Sequence, residues 1–378
     1  MPQLGVGNSI VKRVNIINSN VFISTWKTDN TSTGSSTDHQ VKLPLESGGT
    51  YNFVVDWGDG QKDTITAYNQ AEVTHTYSSI GTYEIKIKGT IEGFVFNNSG
   101  DKLKLLSIDN GGILNVGNSA GKFYGCTNLT SINNLDTSNV VNMSEMFRGC
   151  SNLTLIGNLN TLNIENMDYM FYGCTNFNQA INFDTSNVEN MSYMFYLCSN
   201  FNQNVNFNTS NVVNMNSMFY ACSNFNKPIN FNTHKVTIMY AMFYKCTNFN
   251  QPICLDTSKV TTTAFMFREC TNFNQSVSCF NTSKVTNMYA MFQDAFDFNQ
   301  AISFNIEATT NIDYILESTN LSIANYDNLL LEWANEQNVK TGLTFRCTAN
   351  YTSGGIAETA RSYLVTTKSW TIFDNSGV

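Results

Sequence analysis

Charge is scarce in this chain. Lys, Arg, Asp and Glu make up 13% of its 378 residues, with a net charge of −8, against about 25% charged residues in an average globular protein. So few cations, unclustered, give no electrostatic footprint for DNA or RNA and no polybasic segment for anionic lipid. No apolar run approaches the roughly 18–20 residues that span a bilayer. The opening Met1-Pro-Gln-Leu-Gly-Val-Gly has neither the basic region nor the apolar core of a signal peptide, and lipidation and anchor signals are missing from the given sequence. There is no Gly-x-x-x-x-Gly-Lys-Ser/Thr loop for phosphate and no Cys-x-x-Cys for zinc. Three histidines, His39, His75 and His234, lie far apart, so no nucleophile, base and orienting acid come together in the sequence. What fills the space is uncharged. Asn, Thr and Ser supply the polar surface, and aromatics at 13% argue for a folded structural protein, not a disordered one.

The dominant feature is a repeat. Phe123, Phe147, Phe171, Phe195, Phe219, Phe243 and Phe267 recur every 24 residues, Phe292 follows after 25, and Leu316 takes the same seat 24 later. Three residues after each of the first seven Phe stands a cysteine, from Cys126 to Cys270, and two further on an Asn, from Asn128 to Asn272. A fixed period in the range of 20–50 residues predicts a solenoid of stacked units.

Within the unit beginning at Asn166, the positions Met167, Met170 and Phe171 have the i, i+3, i+4 spacing of a short helical turn. Phe177, Ile181 and Phe183 mark an extended segment, and Asp184-Thr-Ser a turn leading to Val188. Met, Met, Phe, Cys, Phe, Ile, Phe and Val therefore form the inward set, and every methionine but Met1 occupies one of the two Met seats. One unit cannot bury such a face alone, but neighbours stacked on both sides can. Seven of the ten cysteines obey the repeat. Equivalent residues of adjacent units lie about 4.8 Å apart with parallel side chains, poor geometry for a disulfide, so they read as small buried thiols. Reduced cysteines point to assembly in a reducing cytosol. The repeated Asn176, Asn200, Asn224 and Asn248 are expected to satisfy backbone groups at the bend of each unit. Asp136, Asp184 and Asp256 share one seat, which the period explains better than acid–base chemistry.

Ahead of the repeat, Val21-Phe-Ile-Ser-Thr-Trp, Tyr51-Asn-Phe-Val-Val and Tyr83-Glu-Ile-Lys-Ile-Lys alternate like half-buried strands, separated by turn-rich stretches at Asn30–Ser36 and Glu46-Ser-Gly-Gly. Val54-Val-Asp-Trp-Gly-Asp-Gly and Thr74-His-Thr-Tyr-Ser-Ser-Ile-Gly-Thr-Tyr resemble the two motifs of the PKD family of Ig-like domains. That resemblance implies a β-sandwich used as spacer or adhesion module. Asp56 and Asp59 offer the oxygen ligands that Ca2+ prefers, yet two carboxylates in one turn read first as turn formers, and His75 as a packed strand residue. No catalytic, cofactor-binding or metal residue is assigned.

The unit itself, Phe-Asp-Thr-Ser-x-Val-x-Asn-Met-x-x-Met-Phe-x-x-Cys-x-Asn-Phe-Asn-Gln, is similar to the BspA-like leucine-rich-repeat family of surface proteins. An Ig-like domain before such repeats resembles an arrangement in bacterial surface proteins and phage virion proteins. Thr263 replaces a core Met, an inserted residue beside Phe280 lengthens one unit, and Ala295 ends the cysteine column. From Ser322 the character changes. Ser322 can cap a helix carrying Leu329, Leu330 and Trp333, Leu343-Thr-Phe-Arg-Cys reads as a strand, Ser353 precedes a second helix with Ile356, Ala360, Tyr363 and Leu364, and Trp370-Thr-Ile-Phe closes as a strand.

The expectation is thus a mainly β chain with short helices: a PKD-like Ig-fold β-sandwich over 1–100, a junction or N-terminal cap over 101–122 in which Leu103, Leu105, Leu106 and Ile108 begin the first unit, a repeat solenoid over 123–319, and a small α/β C-terminal cap over 320–378. The function expected is non-enzymatic. The resemblance implies first a phage virion surface protein (a head decoration, fibre or tail adhesin), with a bacterial cell-surface adhesin as the alternative. The partners would be capsid or tail proteins, or a cell envelope, with a host surface protein or glycan as ligand. Nucleic acid, membrane insertion and cofactors are not expected, and homo-oligomerisation is left open.

Overall fold

The computed structural model describes residues 20–378, and the reading of Met1–Gly7 lies outside them. The described residues are mainly β, with two α-helices and mixed sheets. Alternation builds β1 (Phe22–Lys27), whose Phe22, Ser24 and Trp26 are buried while the residues between them are half-exposed. There follow β2 (Gln40–Lys42), β3 (Leu45–Asp56), β4 (Lys62–Ile65), β5 (Thr74–Thr76) and β6 (Thr82–Phe94). β1, β3 and β4 join β6 in one antiparallel array, and β2 pairs with β5 in a separate sheet. The expected turn at Glu46–Gly49 is instead part of β3, carried across by a register shift between Leu45 and Thr50. Such a bulge needs no chain reversal.

The junction is a shared strand. β7 (Leu105–Asn110) pairs antiparallel with β1 on one side and parallel with β9 (Ser131–Ile132) on the other. β9 in turn carries β10 (Leu155–Ile156), and β8 (Leu114–Asn115) lies parallel to β6. The sheet therefore runs without a break from the N-terminal strands into the first repeat units. Two buried charges that the sequence reading passed over fix this corner. The Asp101 carboxylate accepts from Ser36 N–H (2.7 Å), Ser36 Oγ (2.6 Å) and Lys42 N–H (2.6 Å), while Lys104 Nζ donates to the carbonyls of Ser36, Thr37 and Gln40. Burial pushes the Lys104 amine below its ordinary range, against the pull of Asp101. A buried charge survives only with such a full set of partners.

Beyond β10 each unit is held mostly by turns. The expected helical turn is not there. In the unit at Asn166, alternate amides leave the unit: Met167, Tyr169, Phe171 and Gly173 N–H donate to Asn190, Ser192, Met194 and Tyr196 O of the next. The amides between them close i→i−3 turns, as from Met170 to Met167 and from Cys174 to Phe171. Tyr169 (φ 55°) and Gly173 (φ 72°) lie in the left-handed region, which no α-helix visits. The same inward spacing is met by a chain that alternates handedness. Likewise the segment through Phe177, Ile181 and Phe183 forms no regular strand. Backbone bridges join equivalent positions from Asn142↔Asn166 through Asn287↔Asn311.

Inside, the Phe seats stack ring on ring: Phe171–Phe195 and Phe195–Phe219 lie 5.6 Å apart with nearly parallel planes. The column begins on the sheet, where Phe94 of β6 faces Phe123 at 6.5 Å. All thirteen repeat methionines are buried. Each cysteine from Cys150 to Cys270 donates its thiol to the Phe carbonyl of the preceding unit, at 2.8–3.1 Å. The seven repeat thiols are free and buried. The expectation of reduced cysteines needs one correction: Cys254 and Cys279 are joined by a disulfide between adjacent units, with Cα atoms 5.8 Å apart. Cys279 belongs to the lengthened unit, so the extra residue breaks the parallel stacking that keeps the other cysteines apart.

The last unit meets α1 (Ile323–Asn335), β11 (Thr344–Arg346), α2 (Ile356–Thr366) and β12 (Thr371–Phe373). Ser322 caps α1, its side chain accepting from Asn325 N–H. β11 and β12 pair in parallel, Leu316 bridges to Cys347, and Trp333 Nε1 donates to Phe304 O. On α2 the inward face is Ala357, Ala360 and Leu364, whereas Ile356 is 72% exposed. No helix among the described residues is long and apolar enough to cross a membrane.

Candidate functional site

The residues singled out in the sequence are mostly consumed by the fold. Asp56 accepts from Gly58 N–H and pairs with Lys62 Nζ at 2.9 Å; Asp59 accepts from Gln61 N–H and meets His75 Nε2 at 2.8 Å. His75 is stacked on Trp57 at 4.8 Å and meets Tyr77 edge-on, while the Tyr77 hydroxyl donates to Trp57 O. Gly58 (φ 84°) is obligatory here, since a Cβ would fall 2.5 Å from Glu84 O. Asp59 and His75 are thus brought together as the clasp of one turn; Asp56 serves a separate ion pair. His39 and His234 sit elsewhere, hydrogen-bonded to Asp38 and Asn232.

The shared seat of Asp136, Asp184 and Asp256 also holds Asn208, Asn232 and Asn281, and all six accept from the N–H two residues on. Because amide and carboxylate are interchangeable there, the charge has no role in that seat. The asparagine expectation changes. Asn176, Asn200, Asn224 and Asn248 donate to the side-chain oxygen of the preceding Asn, at 3.3–3.4 Å on the exposed face. Backbone is served instead by the Asn two residues later. Asn178, Asn202, Asn226, Asn250 and Asn274 each accept an N–H of the following unit, from Asn202, Asn226, Asn250, Asn274 and Asn299.

One face of the stack carries something more. The residue after each Phe seat points outward, half-buried, and forms a column: Tyr124, Arg148, Tyr172, Tyr196, Tyr220, Tyr244 and Arg268. The Arg148 guanidinium lies over Tyr124 (4.8 Å) and Tyr172 (5.0 Å), and Tyr172–Tyr196 and Tyr196–Tyr220 stack at 4.6 and 4.2 Å. Arg268 caps Tyr244, and Phe265, Tyr289, Tyr314 and Arg346 carry the chain of rings and guanidinium groups on to Phe373 of the cap. Burial pushes the Tyr196 and Tyr244 phenols above their ordinary range. Aromatic faces and guanidinium planes give broad, rigid contact at low side-chain entropy cost. The sequence reading followed only the inward seats. The same 24-residue period, applied one residue later, finds the seat from Tyr124 to Arg268, whereas Phe265, Tyr289 and Tyr314 precede their Phe and Leu seats and the offset itself ends on Gln293 and Glu317.

A family model described as Mycoplasma protein of unknown function, DUF285, matches the chain over residues 94–182, 117–230, 180–255, 229–329 and 254–350. No curated protein matches the chain, and no solved structure does.

Proposed function

Starting from a chain that belongs to the DUF285 repeat family of Mycoplasma proteins of unknown function, we propose that it is a non-enzymatic surface-display protein. Its repeats form a leucine-rich-repeat-like solenoid that presents one side to a partner, and residues 20–100 form an Ig-like module of the PKD type that serves as a spacer. The observation that carries this reading is the aromatic and guanidinium column from Tyr124 to Phe373. Its rings add nothing to the inward Phe core yet persist along the whole stack. Arg and Tyr are the residues that most often anchor protein interfaces.

Two settings fit the role. The Cys254–Cys279 disulfide favours life outside a reducing cytosol, which puts a bacterial cell-surface adhesin first and a phage virion surface protein second. Protease shaving of intact cells and of purified particles, followed by mass spectrometry, tests the proposal. Repeat peptides should be released from an intact outer surface. A stoichiometric ratio with capsid proteins would assign the virion, and recovery from envelopes the adhesin. Release only after lysis would overturn surface display.

A further inference from the structure

We propose that the groove at the N-terminal end of the aromatic column binds a sugar residue bearing a carboxylate, such as the uronate or sialate end of a glycan. This rests on the surface-display reading and supplies its ligand class. The groove holds about 470 Å³ and lies between the loop at Ser32 and Thr33, the corner at Asn98 and Lys102, and the first repeat units at Tyr124, Thr127 and Gly149. That volume falls in the range of small-ligand sites.

The lining has unmet hydrogen-bonding capacity. Lys102 Nζ donates to Asn98 O (2.8 Å) and Asn98 Oδ1 (2.5 Å). An ammonium has three donors, so one remains. No Asp or Glu among the described residues lines the groove, although the chain as a whole carries a charge of −8. A cation without a lining carboxylate selects an anionic group, and the hydroxyls of Thr33 and Thr127 can both donate and accept, as sugar hydroxyls require. One face of Tyr124 is taken by Arg148 at 4.8 Å, and the ring offers the remaining apolar surface to a pyranose C–H face.

The floor is bare because the seat that faces it is glycine. Gly149 has φ 72°, but Leu197, Lys245 and Glu269 hold the equivalent seat in later units at φ 61°, 61° and 56°. A Cβ at Gly149 would meet nothing nearer than 3.8 Å. Packing therefore leaves room for a side chain at Gly149, and later units carry one on the same left-handed backbone. Gly125 differs, because a Cβ there would fall 2.3 Å from Asn98 Oδ1. The outer wall is preformed as well: the buried Asp101 and Lys104 hold Ser36 and thereby the loop that carries Ser32. A preformed site binds without an ordering cost.

The test uses the full chain with glucuronic acid and N-acetylneuraminic acid as probes and glucose as the neutral comparator, read by saturation-transfer NMR and calorimetry. Binding of an acidic sugar is expected, weakened about tenfold or more for glucose, by Lys102→Gln, and by Gly149→Leu, which places in the groove the side chain already tolerated at position 197. Gly173→Leu, in the next unit and outside the groove, should leave binding unchanged, and thermal melting verifies that each variant folds. Absence of binding by either acid, or equal binding by folded Gly149→Leu, would overturn the proposal. If shaving still releases the repeats, surface display stands and only the ligand assignment falls; binding without surface exposure would sink the display reading alone.

Discussion

The thiol of Cys222 donates to the carbonyl oxygen of Phe195 in the preceding unit across 2.9 Å. The cysteine column is thus a ladder of side-chain-to-backbone bonds, and burial holds these thiols well above their ordinary range. A thiol kept protonated and enclosed does not act as a nucleophile. Native protein treated with iodoacetamide should therefore show no label on Cys126–Cys270 in the repeat seats or on Cys347, and label on Cys254 and Cys279 only after reduction. Peptide mapping reads the result; label on any repeat cysteine of the folded chain would contradict the ladder. Cys222→Ala, mimicking the natural Ala295, should cost about 1–2 kcal/mol.

Thr263 occupies a methionine seat between Met239 and Met288, is fully buried, and leaves its Oγ1 without a partner among the described residues. Thr263→Met restores the apolar side chain and removes the unpaired hydroxyl. Stability should rise by about 1–3 kcal/mol in denaturant unfolding. A loss would mean that the seat has closed around the smaller residue.

Asn299 does for the cap what Asn274 does for Asn299. Its Oδ1 accepts from Ser322 N–H at 2.8 Å and from Asn325 Nδ2 at 2.9 Å, so α1 takes the place of a further unit. Asn299→Ala leaves a donor unmatched at the cap interface and should cost about 1–3 kcal/mol. Hydrogen exchange should quicken in α1 and the last units while β1 and β6 keep their protection. Uniform loss of protection would argue against a local docking role.

Burial pushes the Glu336 carboxyl up to about 7, opposed by the Ile306 N–H that it accepts and reinforced by Glu307 and Glu332. A value raised above the ordinary 4.5 means that folding favours the protonated form. That contribution is whole below about 4.5 and is lost as pH rises through 7. Thermal melts between pH 5 and 8 should show the cap weakening as pH rises, and Glu336→Gln should flatten this slope. An unchanged slope in the variant would assign the effect to another group.

The period and the inward set were legible because burial repeats every 24 residues, and Ser322 was legible as a cap because its side chain acts within one turn. The local chain path was not. Met167, Met170 and Phe171 satisfy i, i+3, i+4 spacing in a helix and equally in the alternating turns observed, and only the amides donated to the next unit tell the two apart. The pairing of Asp101 and Lys104 with residues 36–42 joins segments about sixty positions apart in the chain, and no local pattern encodes it. The groove at Lys102 and Gly149 was hidden for the same reason.

Removing two whole units, residues 196–243, joins Phe195 to Tyr244 in register and tests most directly whether the units are interchangeable layers of one stack. Small-angle X-ray scattering should show a folded particle shorter by roughly 10 Å, two spacings of parallel strands, with cooperative unfolding retained. A chain that no longer folds, or one whose length is unchanged, would contradict the stack on which the display surface depends.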